Sequence, residues 1–196
     1  MKNYFDKYFD EVAVGLKNTK VTDRVGRQII MDTSLDILAE KANKTKENQQ
    51  GLLFFCGNGA SATMAEHSSH DWFQNAKVNT YTCSETAHIT AISNDISFEH
   101  VFSYRIERAF GSHDILLAIS SSGNSPNIIQ AVNTAKNKNG FVVTMTGKDE
   151  DNEARKLGDL NFYVPLKTYG LVESAHSILL HMALDYYLDK YMGGRH

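Results

Sequence analysis

Prolines, cysteines and long apolar runs are all scarce in this chain of 196 residues. Only two prolines occur, Pro126 and Pro165, so most of the chain is free to form long uninterrupted helices. Two cysteines, Cys56 and Cys83, are too few for a disulfide scaffold, and their apolar neighbours indicate buried free thiols. The apolar runs are far shorter than a membrane span, and the charged first residues lack the pattern of a signal peptide. We therefore expect a cytoplasmic protein with no membrane partner.

The chain also lacks a strong excess of charge of one sign. Its 20 basic and 23 acidic residues give a net charge of −3, and no run of like charges occurs. Proteins whose main partner is a nucleic acid normally present a basic face, so we expect no nucleic acid as a partner. The length is that of one ordinary domain, and we expect residues 1–196 to form a single domain.

A loop rich in hydroxyl groups follows one of the apolar runs. Residues 115–119 are apolar, and the next six residues read Ser-Ser-Ser-Gly-Asn-Ser. Pro126 then stands where the first residue of a helix tolerates proline. Such a loop offers backbone N–H groups, hydroxyl donors and the positive end of a helix dipole, which together suit a phosphate group. The alternative is that the serines only cap the helix.

A second loop of the same design favours the phosphate interpretation. The apolar run 52–56 is followed by residues 57–61, with the sequence Gly-Asn-Gly-Ala-Ser, and then by a helical pattern. In parallel sheets, ligands bind in the crevice outside the carboxyl ends of the strands. We therefore expect the two loops to face one ligand from neighbouring strands.

Strands and helices alternate along the chain after residue 50. This alternation predicts an α/β fold, with a mostly parallel sheet and helices on both faces. Two further helices, at 3–18 and 24–46, are more than one face of the sheet needs. We therefore expect residues 1–48 to pack on other subunits as well as on the core. Residues 49–196 are expected to form the α/β core. Predicted strands are 51–56, 78–83, 114–119, 140–145 and 160–164, and predicted helical segments are 60–74, 86–110, 125–137, 151–157 and 171–191.

The helix at 60–74 carries polar side chains with the spacing of metal ligands or of an acid–base pair. His67 and Asp71 are four residues apart and share one helix face. Glu66 and His70 have the same spacing on the adjacent face, so periodicity does not choose between the two pairs. A solvated helix face with weak ion pairs is the alternative to both.

The last helix carries Glu173, His176 and His181 among apolar residues. Glu173 and His181 are eight residues apart, about 12 Å along a straight helix, so they reach one ion only with difficulty. A ligand set divided between subunits would relieve this strain, and a structural role for each histidine is the alternative. Between the two loops, Asn94 and Asp95 suit either sugar hydroxyls or an Asx turn that caps a helix.

These segments together resemble the sugar-isomerase (SIS) domain family in order and spacing. Residues 57–61, 93–95, 120–125 and 144–148 carry the resemblance, which extends over nearly the whole chain. Within the family the chain is most similar to bacterial phosphoheptose isomerases, which interconvert sedoheptulose 7-phosphate and a heptose 7-phosphate. The resemblance implies a flavodoxin-like or Rossmann-like fold and a homotetramer with active sites at the subunit interfaces.

The resemblance also implies roles for individual residues. It implies substrate contacts with the sugar at Asn58, Gly59, Ala60, Asn94, Asp95 and Glu173. It implies a phosphate site at Ser120, Ser121, Ser122 and Ser125. It implies a metal site, which holds zinc in several members, at His67, Asp71, Glu173 and His181.

Three positions depart from the family pattern. The usual glutamate is Asp71 here, whose carboxylate is one methylene shorter. Glu173 stands where the family usually has a glutamine, and its negative charge favours a cation. Gly170, three positions earlier, stands where the family commonly has an acidic residue. The metal site is therefore kept or strengthened, whereas one candidate catalytic group is absent.

The function that the resemblance implies is aldose–ketose isomerisation of a phosphorylated seven-carbon sugar through an enediol. A base moves a proton between C1 and C2 while a cation polarises the carbonyl group. We expect Asp71, or Glu173 if Asp71 is too short, to be the base, His181 to be the acid and Zn²⁺ to be the cation. Two alternatives stay open: a non-catalytic SIS adaptor that binds a bacterial replication initiator, and an isomerase or sensor for another phosphosugar.

Overall fold

The computed structural model of the chain describes residues 3–47 and 51–194, and no helix within these ranges is long and apolar enough to cross a membrane. The strands are β1 (Lys20–Asp23), β2 (Gln28–Ile29), β3 (Leu53–Gly57), β4 (Thr80–Thr82), β5 (Ile115–Ser120), β6 (Phe141–Thr146) and β7 (Leu160–Tyr163). The helices are α1 (Tyr4–Lys17), α2 (Met31–Glu47), α3 (Ala60–Gln74), α4 (Thr86–Asp95), α5 (Ser103–Ala109), α6 (Pro126–Asn137) and α7 (Tyr169–Tyr191), with 3-10 turns at Phe98–His100 and Ala154–Lys156.

The seven strands form one sheet in the order β2-β1-β7-β6-β5-β3-β4. The strands β3 to β7 are parallel to one another and have the flavodoxin-like order, in which the direction of strand addition reverses between β3 and β5. Gly57 of β3 pairs with Ile119 of β5, so the two strands end side by side. The predicted mostly parallel α/β sheet is confirmed, and both polar loops follow strands at the reversal point.

Successive residues of the central strands enter two separate cores. Leu53 and Phe55 of β3 pack in the core that includes α2, α3 and α7, whereas Phe54 and Cys56 pack in the core that includes α4, α5 and α6. A strand that is buried on both faces has a continuous apolar run rather than an alternating pattern. The structure therefore confirms helices on both faces of the sheet, and it confirms that Cys56 and Cys83 are buried free thiols.

The N-terminal part of the chain contains a hairpin that the sequence pattern did not predict. Residues 24–30 were expected to be helical, but they belong to the turn and second strand of an antiparallel hairpin, and α2 begins only at Met31. β1 also pairs antiparallel with β7 and so extends the sheet. The expected division of the chain, at residues 48 and 49, falls partly outside the described residues.

Local hydrogen bonds explain why the hairpin turn replaces a helix. The Oδ1 atom of Asp23 accepts the backbone N–H groups of Val25 and Arg27, at 3.0 and 2.8 Å. Gly26 has a φ angle of +81°, which a glycine adopts without steric cost. An aspartate that binds the following N–H groups competes with helix formation, so the chain turns at this point.

Helix α1 packs on α7 and leaves an aromatic surface exposed, formed by Tyr4, Phe5 and Phe9. The exposed fractions of these three residues are 81%, 74% and 66%. The rings of Phe5 and Phe9 are stacked, with their centroids 6.4 Å apart. Contiguous exposed apolar side chains are typical of contact surfaces between proteins. Packing of α1 on other subunits stays a prediction.

The imidazole of His176 is completely buried on the inner side of α7. Its Nε2 donates a hydrogen bond to the carbonyl oxygen of Thr146, at 3.1 Å, and this bond joins α7 to the carboxyl end of β6. Burial lowers the pKa of His176 to about 4, because the charged form would lose its hydration inside the protein. The side chain is therefore neutral at pH 7.

The buried imidazole predicts a loss of stability in acid. Between pH 6.5 and pH 4, His176 is protonated in the unfolded chain but stays neutral in the folded chain. The free energy of unfolding therefore decreases as the pH falls from 6.5 towards 4. We expect this group to contribute a loss of about 2 kcal/mol at pH 5. Urea unfolding of the wild type and of His176→Gln, which keeps an amide donor but does not titrate, measures the difference. Equal pH dependence in the two proteins would contradict the assignment.

Candidate active site

The loops that follow β3 and β5 are joined by a reciprocal pair of amide hydrogen bonds. The Nδ2 of Asn58 donates to Oδ1 of Asn127, and the Nδ2 of Asn127 donates to Oδ1 of Asn58, both at 2.9 Å. Asn58 follows β3, and Asn127 lies in the first turn of α6, behind the serine loop. Because each amide satisfies the other, the pair holds the two loops at a constant separation.

Two glycines give these loops their shape. Gly59 precedes α3 with a φ angle of +58°, and Gly123 lies in the serine loop with a φ angle of +66°, both in the left-handed region that favours glycine. At Gly123 a Cβ atom would also lie 2.0 Å from Oδ1 of Asn152. The backbone N–H of Gly123 donates to Oγ of Ser120 at 3.1 Å, so one serine hydroxyl stabilises the loop itself.

A polar cavity of about 160 Å³, called here the serine cavity, lies between the two loops and the start of α7. It is smaller than the pockets that hold drug-sized ligands and has the size for a phosphate group. The Oγ atom of Ser121, a lining residue, is buried and has no hydrogen-bond partner in the described structure. The cavity is lined by Asn58, Ser61, Ile119, Ser120, Ser121, Ser122, Ser125, Tyr169 and Glu173.

The serine cavity brings together most of the predicted phosphate and sugar residues. All four predicted serines and Asn58 line it, whereas Gly59 and Ala60 lie beside it at the start of α3. Three lining residues, Ser61, Ile119 and Tyr169, were not among the predicted site residues. Ser61 and Ile119 could have been found, because they lie within or beside the two polar segments 57–61 and 120–125. Tyr169 could not, because only the packing of α7 brings its ring to the cavity.

The structure does not bring Asn94 and Asp95 to the serine cavity. Both are exposed and form the last two residues of α4, where Nδ2 of Asn94 donates to Oδ1 of Asp95 at 2.8 Å. They therefore end a helix, rather than cap the next one as the sequence also allowed. Their contact with a sugar stays a prediction.

His67, Asp71 and His181 form a compact cluster, called here the ligand cluster, whose nitrogen and oxygen atoms all lie within 4.8 Å of one another. Nε2 of His67 lies 3.3 Å from Nε2 of His181 and 3.1 Å from Oδ2 of Asp71. The remaining distance, from Nε2 of His181 to Oδ2 of Asp71, is 3.8 Å. Packing of α3 against α7 thus selects the pair of His67 and Asp71; His70 is not in the cluster.

The orientation of His181 favours a ligand over an acid. Its Nδ1 lies 2.8 Å from the carbonyl oxygen of Ser177, which only accepts hydrogen bonds, so the ring proton is on Nδ1. The lone pair of Nε2 is then directed towards His67 and Asp71. A histidine held in this way by a backbone carbonyl is typical of metal sites. The expected role of His181 as a proton donor to the sugar is not favoured by this geometry.

The ligand cluster fits a zinc ion. Nitrogen and oxygen atoms bound to tetrahedral zinc at 2.0–2.1 Å are about 3.4 Å apart, close to the three separations in this cluster. Three protein ligands leave a fourth position for water or substrate, as in catalytic zinc sites.

Glu173 is not part of this cluster in the described protomer. It lies two turns before His181 on α7, about 12 Å along the helix, and lines the serine cavity instead. The described protomer therefore brings three of the four expected metal ligands together. The metal role and the substrate role of Glu173 both stay predictions.

Comparison with known proteins agrees with this architecture. The sequence model of the SIS domain family matches residues 20–147. A phosphoheptose isomerase of Cytophaga hutchinsonii is 36% identical over 139 residues, which cover 68% of this chain and 72% of that protein. A phosphoheptose isomerase of Proteus mirabilis is 30% identical over 175 residues, covering 85% and 91%. The structure of phosphoheptose isomerase from Neisseria gonorrhoeae has a TM-score of 0.77 at 28% identity, covering 93% of this chain and 94% of that one. The chain therefore belongs to the SIS domain family, among the relatives of the phosphoheptose isomerases.

Proposed function

We propose that this chain is an aldose–ketose isomerase that converts sedoheptulose 7-phosphate to a heptose 7-phosphate. The observation that carries the proposal is the combination of the serine cavity with the ligand cluster on α3 and α7, two helices that begin beside that cavity. The relatives named phosphoheptose isomerase support the same reaction. A phosphosugar isomerase must bind the phosphate and must stabilise the charge that develops on the carbonyl oxygen.

The phosphate binds at one end of this arrangement. The hydroxyls of Ser121, Ser122 and Ser125 and the amino end of α6 provide donors and a favourable dipole for the dianion. Binding energy at this distance from the reacting carbons orients the sugar rather than changing its chemistry. His67 lies seven residues beyond the start of α3, about 10 Å along the helix, so an extended sugar phosphate would lead from the cavity towards the ligand cluster.

The proton transfer takes place at the other end. When bound, Zn²⁺ held by His67, Asp71 and His181 would polarise the sugar carbonyl and stabilise charge on its oxygen. Asp71 removes a proton from C1 of the ketose and returns it to C2, while the hydroxyl proton passes from O1 to O2. Its Oδ1 is the oxygen for this role because Oδ2 faces the two imidazoles. Glu173 contacts the sugar hydroxyls beside the serine cavity.

The active assembly in this proposal is a homotetramer with active sites at the interfaces. Two observations support it: the exposed aromatic surface of α1, and the half-exposed imidazoles of His67 and His181, whose side chains are 58% and 50% exposed. A second copy over these imidazoles would exclude water from the reacting carbonyl. A cytoplasmic location and the absence of nucleic-acid and membrane partners remain predictions.

The two alternative functions have less support. A non-catalytic adaptor does not need a phosphate-sized cavity that is lined by a hydroxyl without a hydrogen-bond partner. It also does not need three side chains whose separations match those of zinc ligands. Another phosphosugar would use the same cavity and cluster, so only turnover of defined sugars separates that alternative.

Turnover of sedoheptulose 7-phosphate, followed by NMR of the sugar, tests the proposed reaction. We expect an aldoheptose phosphate to form, a chelator to abolish its formation and zinc to restore it. His181→Ala should lower turnover by about 100-fold or more, because it removes a metal ligand. His70→Ala is the matched control, since His70 lies on α3 outside the ligand cluster. Turnover that persists in His181→Ala after chelation would contradict the metal role; a folded wild type without turnover would contradict the reaction.

Ser121→Ala tests the phosphate site. The hydroxyl has no hydrogen-bond partner among the described residues, so its removal should leave the melting temperature unchanged. We expect the KM to rise about tenfold, as for the loss of one hydrogen bond to a charged group. Ser120→Ala is the contrasting variant, because Oγ of Ser120 accepts from Gly123 and its loss should lower the melting temperature. If Ser121→Ala leaves the KM unchanged, the phosphate does not bind in the serine cavity.

The choice of base is tested at Asp71 and Glu173. Asp71→Asn should lower kcat by about 100-fold or more, whereas Asp71→Glu, which restores the longer side chain usual in the family, should keep or raise it. Glu173→Gln should change KM more than kcat. The zinc content of each variant, measured by atomic absorption, separates loss of the base from loss of the metal. A normal kcat in Asp71→Asn, together with a large loss of kcat in Glu173→Gln, would show that Glu173 is the base instead.

A further inference from the structure

A second cavity, of about 250 Å³, lies at the opposite end of the sheet from the serine cavity. Ser112 precedes β5, Asn139 and Gly140 precede β6, and Asp159 precedes β7, so the cavity is at the amino ends of these strands. The six residues of β5 separate it from the serine loop by about 20 Å. It is lined by Arg24, Lys41, Ser112, Lys136, Asn139, Gly140, Phe141 and Asp159.

Three cationic side chains from three different elements converge on this cavity. Arg24 comes from the hairpin turn, Lys41 from α2 and Lys136 from the last turn of α6. None of the three has a carboxylate partner within 4.0 Å among residues 3–47 and 51–194. The ammonium group of Lys41 lies over the ring of Phe141, 4.9 Å from its centroid, which leaves its charge uncompensated.

The charge of this cavity differs from that of the rest of the chain. Two lysines elsewhere show the contrasting arrangement: Lys138 pairs with Glu107 at 2.9 Å and Lys190 pairs with Asp36 at 2.6 Å. One carboxylate, that of Asp159, also lines the cavity, and its Oδ2 already accepts the backbone N–H of Val142 at 2.9 Å. A chain with a net charge of −3 thus gathers a local excess of positive charge. Like charges that share a small cavity repel one another unless an anion lies between them.

We propose that this cavity binds a small phosphate-bearing anion, at a site separate from the serine cavity. Its volume is below the range of pockets for drug-sized ligands and is sufficient for one or two phosphate groups. The hydroxyl of Ser112 and the side-chain amide of Asn139 add neutral donors to the three cations. Arginine and lysine together provide the charge and the directed donors by which proteins recognise phosphate.

Calorimetric titration with pyrophosphate tests this site in the full chain. We expect two classes of binding site in the wild type. The double variant Lys41→Ala/Lys136→Ala should lose one class, with binding at least tenfold weaker, while its turnover of sedoheptulose 7-phosphate stays unchanged. Ser121→Ala should retain the class that the double variant loses. Rising salt should weaken this class, because exposed charges are screened.

Lys138→Ala is the matched control, since Lys138 lies just beyond α6 but is paired with Glu107. Unchanged pyrophosphate binding in the double variant, or an equal loss in Lys138→Ala, would overturn the proposal. Loss of all binding in Ser121→Ala would also overturn it, because the serine cavity would then be the only anion site. If the double variant fails to fold, Lys41→Gln, a change of one exposed side chain, gives the same comparison. The binding outcomes do not depend on the proposed isomerase reaction; only the comparison of turnover rests on it.

Discussion

The reversal of strand order between β3 and β5 is the constraint on which the rest of the site depends. Because these two parallel strands end side by side, the loops that follow them face each other across a single crevice. The reciprocal amide bonds between Asn58 and Asn127 then hold that crevice open at the size of a phosphate group. Gly123 lies so close to Asn152 that there is no room for a side chain, and this contact fixes the position of the serine loop.

The same crevice sets the direction of the two helices that carry the ligand cluster. Both α3 and α7 begin beside it, and each leads along the face of the sheet that holds the larger core. Their mutual packing, rather than the spacing within either helix, brings His67 and Asp71 to His181. The backbone carbonyl of Ser177 then directs the Nε2 lone pair of His181 into the cluster. Phosphate recognition and metal binding are thus joined by helix packing.

The sequence predicted most of the fold because its signals were local. The apolar runs at 52–56 and 115–119 are buried strands, and Pro126 begins a helix as expected. The hairpin at 20–29 was missed because apolar residues in it match a helical period, while the decisive hydrogen bonds of Asp23 depend on the folded turn. For the site, helical spacing selected two candidate pairs on α3 but only the position of α7 decides between them. The eight-residue spacing of Glu173 and His181 already indicated that the two reach one ion only with difficulty. No local pattern brings Tyr169 to the cavity.

The departure at Gly170 has a structural counterpart in α1. A Cβ atom at this position would lie 3.1 Å from the hydroxyl of Tyr8, which is tighter than an ordinary contact. The acidic residue that the family commonly has at this position would therefore require the hydroxyl of Tyr8 to move by a few tenths of an ångström, at the place where α1 packs on α7. The glycine and the tyrosine are compatible with each other, and together they allow α1 to approach the first turn of α7, one turn before Glu173. The first turn of α7 thus meets two neighbours at once, α1 at Gly170 and the serine cavity at Tyr169. The position of the helix that carries the exposed aromatic surface is therefore coupled, through one glycine, to the wall of the cavity.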